Sequence, residues 1–94
     1  MVPNVAPSSV PSIEKIENKA RRSPGSLSFN DACALAEHYF GPPRKGSGSH
    51  VAIFKMGWQG DPRVNLQKGD GGKAKRYQVE QLLTAIDRKK GEAK

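Results

Sequence analysis

Cysteine, aromatic side chains and long apolar runs are all scarce in this chain of 94 residues. Its one cysteine, Cys33, excludes an internal disulfide, and so sparing a use of cysteine fits a reducing, cytoplasmic setting. Two histidines and one cysteine, widely spaced, do not make a zinc site, and nothing else in the sequence asks for a metal or cofactor. No apolar stretch approaches the length of a membrane span, and the N-terminus lacks the cationic start and apolar run of a signal peptide. Nor does any basic amphipathic helix set a row of Trp, Phe and Leu against its lysines, which argues against a membrane surface as partner. Hydrophobic residues make up 35% of the chain and cluster from Leu27 onward. That is material for one thin core and one small domain.

Positive charge is abundant. The chain carries 16 Lys and Arg against 9 Asp and Glu, a net charge of +7, and its pI is near 9.9. Almost all of the excess lies in one part of the chain. Residues 42–94 hold 12 basic against 5 acidic side chains, whereas residues 1–41 hold 4 of each. Such a half-chain field selects a polyanion, and nucleic acid before anything else.

Punctuation and periodicity divide the chain into elements. Residues 1–11, rich in Pro, Ser and Val without period, read as a disordered tail. One domain over 12–90 follows, then a charged tail over 91–94. Ser12 caps a short helix to about Arg22, with Ile13, Ile16 and Ala20 on one stripe. Ser28 and Asp31 form a capping box ahead of a helix over 29–40, whose Phe29, Ala32, Cys33, Ala36 and Phe40 share a face. Gly41 and Pro42-Pro43 end it. Arg44–Gly46, His50–Met56 and Arg63–Lys68 read as three strands; in the last, Val64 and Leu66 face inward. A final helix spans about Lys75 to Lys89, with Val79, Leu82, Leu83 and Ile86 at helical spacing, and Gly91 ends it. The expected class is therefore α+β, in the order α-β-β-β-α with a short extra N-terminal helix. Its antiparallel sheet has three strands and carries the helices on one face.

Three groups of residues bear on chemistry. Lys73, Lys75 and Arg76 stand at the positive end of the last helix, where cations cost a few tenths of a kcal/mol or more each. A phosphate bound there removes the conflict; a solubilising charge run is the plain alternative. Arg63, Asn65 and Gln67 line the polar face of the third strand, suited to phosphate and ribose or merely to water. His50 follows the Gly/Ser turn GSGSH, in which Ser47 and Ser49 offer hydrogen-bond donors and the glycines allow close approach of a backbone. An imidazole in a cationic field can take the proton of a ribose 2′-hydroxyl or give one to a departing 5′-oxygen; a surface or half-buried histidine at a strand start is the alternative. Cys33 reads as a small core residue, His38 as a helix-surface residue, and Trp58 as a base-stacking ring or a lid over the sheet.

GSGSH at 46–50, GDPRVNLQ at 60–67 and GGKAKRYQVEQLL at 71–83 together resemble the HicA family, small toxins of bacterial type II toxin–antitoxin systems that act as mRNA interferases. The likeness covers roughly residues 14–88, including FNDACALAEHYFG. It implies a fold like that of double-stranded-RNA-binding domains and metal-independent endoribonuclease activity, with the motif histidine, here His50, essential. It also implies a HicB-type antitoxin that masks this histidine, and lysines of the GKAK segment that grip phosphates. Many relatives carry a second histidine where this chain has Val51, which leaves either another acid, such as Lys55, Lys75 or Tyr77, or a slower enzyme. The expected site is thus His50 as catalyst, with Ser49, Lys55, Arg63, Lys73, Lys75 and Arg76 holding mRNA or other single-stranded RNA. A non-catalytic RNA-binding module and a domain built mainly to meet a protein partner are the competing readings.

Overall fold

The computed structural model describes residues 12–44 and 51–92, which form an α+β fold. Its elements are α1 (Ile13–Arg22), α2 (Phe29–Phe40), β1 (Val51–Lys55), β2 (Arg63–Gln67) and α3 (Arg76–Glu92). Short 3₁₀ turns at Pro24–Ser26 and Asp70–Gly72 connect α1 to α2 and β2 to α3.

Side-chain caps set where the first two helices begin. The Ser12 hydroxyl accepts the Lys15 amide at 3.3 Å, and the Ser28 hydroxyl accepts the Asp31 amide at 3.0 Å. Each satisfies one of the orphan N–H donors of a first turn. The reciprocal Asp31 bond of a capping box is not formed among the described residues, where Ser28 stands in a β-bridge with Lys73. Gly41, at φ +88°, provides the exit from α2, and its amide donates to the Glu37 carbonyl.

Among the described residues the sheet has two strands, not the three expected. Of the predicted first strand, Lys45 and Gly46 lie outside the described residues. Arg44 belongs to no strand, although its amide donates to the Ile53 carbonyl at 2.7 Å. Strands β1 and β2 pair antiparallel, with Ala52 opposite Leu66 and Phe54 opposite Val64. These four side chains are buried, and the alternate positions Lys55, Arg63 and Asn65 are exposed. The pleat therefore sends one face to the core and one to water.

Helices α2 and α3 cover the inner face of the sheet. Leu27, Leu35, Phe54, Leu66, Val79, Leu82 and Ile86 are its fully buried large side chains. Helix α1 closes the side of this core with Ile16 and Ala20. Cys33, Phe40 and Leu83, expected on the core stripes, lie at its margin, and Leu35 and Ala85 fill the interior instead. Helix α3 runs through Gly91 to Glu92. Its last turn is tied by the Glu92 carboxylate, which accepts from Arg88 at 3.3 Å and from the Trp58 indole at 2.7 Å.

One polar side chain joins sheet to helix. Gln78, buried in the first turns of α3, accepts the Gln67 amide on Oε1 at 2.8 Å and donates from Nε2 to the Gln67 side-chain oxygen at 3.0 Å. Leucine at this position leaves a part-buried backbone donor without its acceptor. Gln78→Leu is expected to cost about 2 kcal/mol of stability, read as a lower midpoint in urea with an unchanged slope.

Candidate nucleic-acid interface

The turn between β2 and α3 reverses the chain within five residues. Gly71 and Gly72, at φ +69° and +76°, adopt the left-handed conformation that side chains resist. The Gly69 amide then closes the loop on the Lys73 carbonyl at 2.7 Å. Residues 73 and 74 are stitched on both flanks: Ser28 bridges to Lys73, Lys68 bridges to Ala74, and the Ala74 amide donates to Leu27 at 2.9 Å. Ala74 turns inward and is buried, which leaves Lys73 and Lys75 exposed on either side of it. Beside them is an open hollow of about 440 Å³, lined by Lys73, Lys75, Arg76 and Tyr77, with Asp70 as its one carboxylate and Gly25 at its edge.

The electrostatics of this corner differ from those of the other helix starts. Helices α1 and α2 each begin with a serine cap and an acidic first turn, Glu14 and Asp31 respectively. The first turn of α3 holds no acid, and it is entered through Lys75, whose carbonyl accepts the amides of Gln78 and Val79. Among the described residues, Lys68, Lys73 and Lys75 make no ion pair. Lys68 lies 5.6 Å from the centroid of the Phe29 ring. Arg76 pairs with Glu80 at 3.2 Å, an exposed i,i+4 contact of small energetic weight.

Of the residues singled out from sequence, the fold brings Lys73, Lys75 and Arg76 together and places Lys55 and Arg63 elsewhere. Those two face each other at the far end of the hairpin. Asp61 sits between them, 2.8 Å from Arg63 and 3.8 Å from Lys55. The Arg63 hydrogen bond holds the Asp61 carboxyl below its ordinary range, with Lys55 and Arg44 adding to it. The local charge of Lys55 and Arg63 is thereby partly spent. His50 and Ser49 lie outside the described residues. Val51, the next residue in the chain, stands opposite Gln67, and Gln67 is the partner of Gln78 at the start of α3. The chain on the C-terminal side of His50 thus enters the sheet at the end nearest Lys75 and Tyr77.

Other candidates resolve into structure. Trp58 lies back over the core edge: the Arg88 guanidinium is 3.9 Å from its ring centroid, and Phe40 meets it edge-on at 5.9 Å. Burial pushes the Cys33 thiol up to about 11, with Glu37 adding to the shift, so it stays a thiol near neutral pH. His38 is exposed, as its place on the helix suggested. A second hollow of about 460 Å³ runs along α1 past His38, Glu17, Tyr39 and Lys90. Of its two carboxylates, Glu14 and Glu17, the second is fully engaged, because Glu17 accepts from Tyr39 at 2.6 Å, Lys90 at 2.6 Å and Arg21 at 2.9 Å. Burial raises the Glu17 pKa, but these three donors outweigh it and bring it down to about 2, far from a proton shuttle's range.

Sequence reasoning passed over Lys68, Glu17 and Gln78. Glu17 and Gln78 stand at core-facing spacing, Glu17 one residue after Ile16 and Gln78 four before Leu82. Among the described residues, no helix is long and apolar enough to cross a membrane. Compared with protein-family models, with curated proteins and with solved structures, the chain matches none.

Proposed function

We propose that this chain is a metal-independent endoribonuclease of the HicA type, an mRNA interferase acting in the cytoplasm. His50 moves the proton, and Lys73, Lys75 and Arg76 hold the phosphates. The observation that carries the reading is the start of α3: no acid in its first turn, two lysines without an ion pair among the described residues, and an open hollow beside them. A phosphate placed there meets backbone amides, the positive end of the helix dipole and several ammonium groups at once. The resemblance at GSGSH adds the histidine. A HicB-type antitoxin with an acidic surface would cover the same corner and silence it.

The deciding comparison sets purified wild type against His50→Ala on a long single-stranded RNA with a chelator present. Cleavage by wild type alone supports the reading. Failure of both to cleave, from folded protein that binds RNA, leaves a non-catalytic binding module.

The phosphate-binding lysines have their own test. Lys73→Gln with Lys75→Gln is expected to flatten the salt dependence of RNA binding. The slope of log K against log salt should fall by about 1.4, or about 0.7 for each single-strand phosphate that a lysine no longer neutralises. An unchanged slope places the phosphates elsewhere.

A further inference from the structure

Tyr77 is the one large apolar side chain left open among the described residues, at 55% exposure. The other described rings are engaged. Phe29 and Phe54 are buried, and Tyr39, Phe40 and Trp58 pack on the core and on one another. An aromatic ring kept in water contributes little to folding. This ring is nevertheless held in place. Its hydroxyl accepts from Gln78 Nε2 at 3.3 Å, and Gln78 is itself fastened to Gln67 by two hydrogen bonds. The anchor is buried and the ring is not. On the same hollow stand Lys73 and Lys75, free of ion pairs among the described residues.

A pre-positioned aromatic ring on the same hollow as cationic side chains matches the chemistry of an unpaired nucleotide: a flat base with a phosphate on either side. Paired bases in a duplex are stacked on their neighbours and offer no free face. We propose that the hollow is a single-strand-selective subsite, in which one unpaired nucleobase stacks on Tyr77 while its flanking phosphates lie against Lys73 and Lys75. The inference rests on the RNA-binding reading above and deepens it by naming the side chain on which an unpaired base stacks. In this subsite the hydroxyl orients the ring through Gln78, and the face does the binding.

The test measures binding of the full chain to a labelled single-stranded RNA of about a dozen nucleotides and to the same strand in a duplex. Tyr77→Ala is expected to weaken the single strand about 5- to 100-fold and the duplex less than twofold. Tyr77→Phe is expected to keep single-strand affinity, and Tyr77→Leu to lose it, because leucine supplies apolar area without a π-face. Melting temperatures of the three variants control for folding. Equal losses on both RNAs, or none on either, overturn the subsite while leaving RNA binding in place. A wild type that binds neither RNA overturns the RNA reading itself, and a Tyr77→Ala variant that loses only a protein partner assigns the ring to that partner.

Discussion

His50→Ala is expected to lower RNA cleavage by about 10²- to 10⁴-fold, the share that one general acid–base group supplies. Melting temperature and RNA affinity should stay close to wild type. The balance of the step explains why. In the proposed reaction a base would remove the 2′-hydroxyl proton, the 2′-oxygen would attack the adjacent phosphorus in line, and the bond to the 5′-oxygen would break. The products are a 2′,3′-cyclic phosphate and a 5′-hydroxyl, with one proton taken up and one delivered. Imidazole can take or give a proton near neutral pH, which suits it to either role. Loss of folding in the variant would make the histidine structural and sink the assignment.

For the proposed reaction, Lys55 is the least suited of the candidate second groups. Lys55 lies four residues along β1 from Val51, about 14 Å at the rise of an extended strand, and it faces Asp61 rather than the hollow. Lys75 and Tyr77 both line the hollow. Tyr77→Phe removes the hydroxyl and keeps the ring, whereas Lys75→Gln removes the ammonium and keeps much of the length. A loss of cleavage confined to the lysine variant assigns the proton, or the stabilisation of charge on the phosphorus oxygens, to Lys75.

The parts of this fold that were legible in the sequence are those in which local chemistry and tertiary packing agree. Helix α2 begins and ends where Ser28 and Gly41 place it. Strand β2 shows the alternation in which Val64 and Leu66 go inside. The basic corner was legible for a similar reason: Lys73, Lys75 and Arg76 are close in sequence, so a single turn assembles them. Arg63 joins them through the polar face of its strand and Lys55 as a candidate proton-transfer group, and neither position has an address until strands pair. Polar residues at core positions were the main blind spot. Glu17 belongs to the stripe Ile13, Ile16, Glu17, Ala20, and Gln78 to the stripe Gln78, Val79, Leu82, Ala85, Ile86. Neither stands out in the sequence, because burial of a polar side chain depends on partners far along the chain. For Glu17 these are Tyr39 and Lys90.

Glu17→Gln is expected to lower stability at pH 7 by about 2–3 kcal/mol, a fall of roughly 10–20 °C in melting temperature for a domain of this size. The carboxylate ties three helices together. It accepts from Arg21 in α1, Tyr39 in α2 and Lys90 in α3, and Arg21 continues the network to Asp87 at 2.7 Å. Its side chain is only 9% exposed, so the amide that replaces it stays among the same cations with no charge to offer them. Lys90 and Arg21 are 48% and 37% exposed and regain water, which keeps the cost below that of a fully buried pair. The pH dependence follows from the same interactions. Burial works against the charged form, but the donors from Lys90, Tyr39 and Arg21 bring the folded pKa from the ordinary 4.5 down to about 2. Protonation therefore favours the unfolded chain. The contribution is full above about pH 4.5 and is lost as pH falls through that value toward 2. The exposed Asp87, whose pKa is lowered by its hydrogen bond to Arg21, adds a small effect of the same sign. Wild type should lose melting temperature steeply between about pH 5 and pH 2, and the gap between it and Glu17→Gln should close over that window. A gap that stays constant down to about pH 2 would show that the loss comes from packing, with the charge of Glu17 contributing nothing.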